Sequence, residues 1–144
     1  MVQFLKRNIF QRLLGRCQTN EPRDPGSWSY TSGAIEVDLH LLPELSETGA
    51  AVRFEGRDLP LRVLLVHADD GAYRAFHNKC AHAGRRLDPV PGDGTIQCCS
   101  MGKTTYDYEG RVVFGQVEDG VTPLRVSIQE DKLIIELPPD QRAC

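Results

Sequence analysis

Cys80 and His82 stand one residue apart, and Cys98 and Cys99 follow as an adjacent pair. Thiolate and imidazole together suit an iron–sulfur cluster or zinc, by ligand softness. The first pair comes just after one apolar run, and the second ends another. Two loops, each rooted on a strand end, can face each other and clamp an inorganic centre. Gly84, Gly92, Gly94 and Gly102 would let the backbone approach it closely. The competing reading is a buried cysteine pair and a surface histidine. The chain has five cysteines, three of them in this region, too few and too unevenly placed for a disulfide scaffold. That usage points to metal or redox chemistry in a reducing compartment. Cys17 and Cys144 lie near the ends and are read as incidental.

The elements that must position these donors read as short strands. Between residues 33 and 138, "AIEVDL" alternates with Ile35 and Val37 on one face, and "AVRFEG" follows. "LRVLLVHA" is almost continuously apolar, as expected of a strand buried on both faces. "DDG" signals a hairpin leading into "AYRAFHN". After the cysteines come "TTYDYEGRVVFG", a hairpin about Glu109-Gly110, and "LRVSIQEDKLIIEL", two strands about Glu130-Asp131. Many short strands with polar turns predict an all-β sandwich or barrel.

Three further segments flank this unit. Residues 1–16 carry Phe4, Ile9, Phe10, Leu13 and Leu14 at near-helical spacing, which predicts a short amphipathic helix. Lys6, Arg7, Arg12 and Arg16 make it basic, so the rest of the chain is more acidic than the overall net charge of −3. Such a helix can dock on its own domain, on a partner or on a membrane surface. Residues 17–32 read as a Pro-, Gly- and Ser-rich linker whose Trp28 and Tyr30 pack onto the domain, and residues 139–144 as a tail.

The segment from about Gly33 to Leu137 resembles a Rieske-type [2Fe-2S] domain. The first ligand loop of that family reads C-x-H, then a small residue and a short run ending in Leu. Here it is Cys80-Ala81-His82-Ala83-Gly84-Arg85-Arg86-Leu87. Upstream "VRFEGRDLPLRVLLVHADDGAYRAFHNKC" is similar to the family's opening strands, with Phe76 as the aromatic just before the loop. Downstream "YDYEGRVVFG" and "TPLRVSIQEDKLIIEL" are similar to its closing strands. The resemblance implies a β fold with two ligand loops, a [2Fe-2S] cofactor, electron transfer and a redox partner protein, either a reductase or another oxidoreductase. It makes Cys80 and His82 metal ligands.

The second loop departs from the family pattern C-x-x-H-G. Anchoring on Tyr106 and Gly110 places the missing histidine at Gly102 and the cysteine at Cys99. Anchoring on "MG" instead places them at Met101 and Cys98. The first register satisfies two landmarks and the second only one, so the first is preferred. Neither supplies an imidazole. The fourth position is then open to Cys98 and Cys99 ligating together, to Met101, to water or a partner's side chain, or to no cluster at all. A zinc-binding or metal-free module with an assembly or regulatory role is the rival to an electron carrier. In the preferred register Thr104 and Tyr106 fall where high-potential Rieske domains have hydroxyls that hydrogen-bond to sulfur, which makes them cluster-binding candidates.

A thiolate in place of an imidazole adds one negative charge and disfavours reduction. The potential is expected to move towards about −400 mV, away from the Rieske range of roughly −150 to +300 mV. Arg85 and Arg86 could offset that charge or form a docking surface. His67 and His77 lie outside the ligand loops, His77 being a candidate substitute ligand, and His40 reads as structural or exposed.

Other classes find no support. A net charge of −3 argues against a general nucleic-acid binder. No Gly-rich phosphate loop follows a strand. There is no mononuclear-iron triad, so the chain reads as an electron-transfer component without a catalytic residue of its own. No stretch nears the ~20 apolar residues of a membrane span, and the N-terminus lacks the features of a secretory signal. The expected location is cytoplasmic, or peripheral at a membrane face.

Overall fold

The computed structural model describes residues 19–80, 86–90, 92, 94–98, 104–115 and 120–138. The predicted N-terminal helix and the C-terminal tail lie outside them. The fold is the expected antiparallel all-β one. The described residues form eleven strands: β1 (Trp28–Thr31), β2 (Ala34–Asp38), β3 (Ala51–Phe54), β4 (Val63–His67), β5 (Tyr73–His77), β6 (Leu87–Val90), β7 (Thr95–Cys98), β8 (Thr105–Asp107), β9 (Val112–Phe114), β10 (Pro123–Gln129) and β11 (Lys132–Glu136). A seven-stranded sheet runs β1-β2-β11-β10-β5-β4-β3, and a four-stranded sheet runs β6-β7-β8-β9.

Strand β4 shows why the chain needs two sheets. All four residues Val63 to Val66 are fully buried. Successive side chains of a strand point to opposite faces. Val63 and Leu65 therefore enter one core with Ile35, Val37, Phe54, Leu133 and Ile135. Leu64 and Val66 enter a second core with Phe76, Ile96 and Tyr106. Each fully buried aliphatic side chain contributes about 1.5–3 kcal/mol of transfer free energy. The uninterrupted apolar run is thus a strand sandwiched between two cores.

Two strands were not anticipated from sequence. Residues 28–31, within the stretch read above as a linker, pair with β2 through Trp28↔Val37 and Tyr30↔Ile35. Trp28 is buried and meets Phe54 edge-on at 4.9 Å between ring centroids. Strand β6 contains Asp88 and Pro89, which carry no strand signal. Pro is tolerated there because β6 is the edge of the smaller sheet.

One turn depends on glycine. Gly110 has φ +87°, and a Cβ there would sit 1.9 Å from the carbonyl oxygen of Val121. The Val121 N–H donates to the Gly110 carbonyl at 2.8 Å. This contact ties the β8–β9 turn to the approach to β10.

Candidate metal centre

Two loops meet the smaller sheet at the same end. The first begins at Cys80, after β5, and runs into β6. The second begins after Cys98, the last residue of β7, and ends at Thr104. Leu87, the first residue of β6, is the cross-strand partner of Cys98. The loop roots are therefore neighbours in one antiparallel ladder. The second loop is closed by the Cys98 N–H donating to the Thr104 carbonyl at 2.7 Å. That pair extends the β7–β8 ladder, in which Ile96 faces Tyr106 and Gln97 faces Thr105.

Alternation along β7 then sorts the side chains. Cys98 shares its face with Ile96, and both belong to the buried cluster that holds Leu87, Tyr106 and Cys80. Gln97 points the other way, where its Nε2 donates to the Thr105 hydroxyl at 3.3 Å. Cys80, Cys98 and Tyr106 are fully buried. The phenolic oxygen of Tyr106 lies 3.2 Å from Sγ of Cys80. Sulfur and hydroxyl are 26 positions apart in the chain and meet in an otherwise apolar cluster.

Thr104 is buried beside Gly115, where an added Cβ would come within 2.9 Å of the threonine Oγ1. His82, Cys99, Met101 and Gly102 lie outside the described residues, as does Arg85. Among the described residues no three His, Cys, Asp or Glu side chains are grouped so as to hold a metal ion. The described donors are thus Cys80 and Cys98, brought to one cluster. Their chemistry fits an iron–sulfur centre, because a thiolate at Cys80 would find a hydrogen-bond donor in the Tyr106 hydroxyl.

Sequence reasoning missed Asn78, which is buried two residues before Cys80. Its Oδ1 accepts from the Leu87 N–H at 2.7 Å, so one side chain bridges both ends of the first loop. The available signal was the residue type, since Asn side chains readily hold nearby backbone groups.

A basic rim surrounds this base. Arg86 makes a two-point ion pair with Glu55, one contact being Nη2 to Oε2 at 3.0 Å. Arg53 approaches the same carboxylate at 3.6 Å. The hydrogen bond from Arg86 holds the Glu55 carboxyl below its ordinary pKa. Arg62 donates from Nε to the Asn78 carbonyl at 3.1 Å. Burial pulls its pKa down, and the charge of nearby Arg86 adds to this. Burial likewise lowers the pKa of His77, helped by Lys79 and Arg62. His67 stacks on Tyr73, and its Nδ1 meets the Leu45 carbonyl at 2.8 Å. His40 is exposed and pairs with Asp131.

Residues 41–125, more than half of the chain, match the Rieske [2Fe-2S] domain family. The chain belongs to that family. As a Rieske module it shares 34% identity over 59 residues with the glycine betaine monooxygenase oxygenase subunit of Chromohalobacter salexigens. That match covers 40% of this chain and 13% of the subunit, so the chain spans only a small part of its relative. Its Rieske fold is also that of the ferredoxin of carbazole 1,9a-dioxygenase from Nocardioides aromaticivorans IC177. There the TM-score is 0.54 at 19% identity, over 64% of this chain and 88% of the ferredoxin. The quaternary ammonium Rieske monooxygenase CntA gives 0.52 at 19% identity, over 71% of this chain and 30% of the enzyme. No helix among the described residues is long and apolar enough to cross a membrane.

Proposed function

We propose that this Rieske module is a small electron-transfer protein whose [2Fe-2S] cluster is held by Cys80, His82, Cys98 and Cys99, in place of two cysteines and two histidines. The observation that carries this reading is the Tyr106 hydroxyl 3.2 Å from the buried Cys80 sulfur, at the base of two loops whose roots are paired. When bound, the cluster would supply a one-electron couple between ferric and ferrous iron. The chain's own contribution is to bury Cys80 and Cys98 away from water and to hold a hydroxyl beside the Cys80 sulfur.

An extra thiolate raises the electron density on iron. Hydrogen bonds to sulfur and neighbouring cations act in the opposite sense. Tyr106 would supply such a bond to sulfur, and Thr104, which follows the second loop, is the second candidate. Arg86 pairs with Glu55, Arg53 approaches the same carboxylate, Glu21 also acts on Arg86, and Arg62 and Lys79 add their charges close by. This leaves a positive rim beside the first loop on a chain of net charge −3. A reductase or oxygenase component with an acidic face is the partner such a rim suits, with an encounter that weakens as salt rises. The basic N-terminal segment offers a second attachment, to that partner or to a membrane face, and a cytoplasmic site agrees with a reduced cysteine set.

The test is anaerobic purification followed by iron and sulfide analysis and EPR of the reduced protein. Brown protein with about two irons and two sulfides per chain, and a rhombic signal on reduction, is expected. Colourless protein after failed anaerobic reconstitution would sink the carrier, and stoichiometric zinc would establish the rival module.

A further inference from the structure

The neck of the first loop contains a buried hydrogen-bond donor without an acceptor. Every other polar group of Asn78 is satisfied. Its N–H donates to the Arg62 carbonyl at 2.8 Å. Its carbonyl accepts from Arg62 Nε at 3.1 Å. Its side-chain oxygen accepts from the Leu87 N–H at 2.7 Å. That last bond also fixes the amide orientation, because a backbone N–H can only be met by the oxygen. The remaining atom, Nδ2, is buried and has no hydrogen-bond partner. Buried polar groups in native proteins are almost always paired, so an orphan at a candidate site calls for an absent acceptor.

Position narrows what that acceptor can be. Asn78 is fully buried, as is Cys80 two residues later. Its side chain spans from residue 78 to residue 87, so the amide lies within the base of the loop that carries Cys80 and His82. The cationic groups around it, Arg62 and Arg86, are donors and cannot accept. Arg62 is moreover already engaged with the Asn78 backbone. An electron-rich sulfur is the acceptor that a metal centre would bring to this place.

We propose that Asn78 Nδ2 donates a hydrogen bond to an inorganic sulfide of the bound cluster, since the Cys80 sulfur is already in place and does not accept from it. Asn78 is then a positioning residue with two tasks. Its oxygen clamps the loop neck and its nitrogen stabilises charge on sulfur, in the same sense as Tyr106 but from the segment that leads into the first ligand loop. The proposal rests on the cluster-bearing reading above.

The chain has three asparagines, Asn8, Asn20 and Asn78, which makes isotope labelling selective. The protein is produced with asparagine carrying 15N in the side-chain amide, loaded with iron and sulfide, and reduced. Pulsed EPR is expected to show a weak 15N coupling that disappears in Asn78→Asp, a variant that keeps the acceptor for Leu87. Loaded Asn78→Ala is expected to have a lower midpoint potential than wild type, since a donor to sulfur has been removed. A loaded wild-type protein without amide 15N coupling overturns the proposal and leaves the electron carrier intact. So does a coupling that persists in Asn78→Asp, or an unchanged potential in loaded Asn78→Ala. If the Asn78 variants do not load, the double variant Asn8→Ser, Asn20→Ser decides. A retained coupling assigns it to Asn78, and a lost one overturns the proposal. Wild-type protein that takes up no iron and sulfide overturns both readings together.

Discussion

The Tyr106 hydroxyl lies 3.2 Å from Sγ of Cys80, joining β8 of the smaller sheet to the start of the loop that follows β5 of the larger one. Removing only that oxygen isolates its effect. Tyr106→Phe keeps the ring that fills the second core, so stability should change by about 1 kcal/mol. The loaded protein should keep its iron and sulfide count while its midpoint potential falls, as read by a dye-coupled redox titration. An unchanged potential would show that the contact does not tune the centre.

Cys98 and Cys99 make different predictions when changed singly. Cys98 closes β7 on the face of Ile96 and Tyr106. If both cysteines ligate, Cys98→Ser and Cys99→Ser should each lose the cluster or shift its visible and EPR spectra. A Cys98→Ser protein with wild-type spectra and metal content would assign Cys98 to the core and remove the Cys₃His proposal.

Glu55 should contribute to stability in a pH-dependent way. Its pKa is lowered from the usual 4.5, first by the hydrogen bond from Arg86. A depressed carboxyl stabilises the fold above its unfolded-state pKa, and that contribution is lost as pH falls through the lower folded-state value. Urea titrations should therefore show wild type more stable than Glu55→Gln near neutrality, with the gap closing below about pH 4.5. A gap that stays constant through the acid range would mean that the ion pair is not its source.

Gly110→Ala tests the turn that anchors β8 and β9. The new methyl would meet the Val121 carbonyl at 1.9 Å, on a residue with φ +87°. Backbone on both sides leaves no flexible atom to yield. A destabilisation on the order of 2–4 kcal/mol is expected in denaturant unfolding. A loss below about 0.5 kcal/mol, the range of neutral surface changes, would contradict the crossing.

Much of the frame was legible in the linear chain because it rests on local periodicity. Alternation marked β2, β10 and β11, and the apolar run of β4 announced burial on both faces. The C-x-H spacing with its flanking strands carries the resemblance to the Rieske family. Strands β1 and β6 escaped because their local signals are weak. Leu87-Asp88-Pro89-Val90 is a strand only through its pairing with Thr95–Cys98.

The sequence by itself determined the donor types, the absence of any histidine after His82 and the doubled cysteine, since these are matters of residue identity. Tertiary structure decided which groups meet. Tyr106 reaches Cys80 across 26 positions, Arg86 reaches Glu55 across 31, and Asn78 reaches Leu87 across nine. No periodicity encodes such contacts. They follow from the register of Leu87 against Cys98 and from the stacking of two sheets over one core. Burial then gives these contacts their weight, because a hydroxyl, a carboxylate or an amide removed from water must find its partner inside the protein.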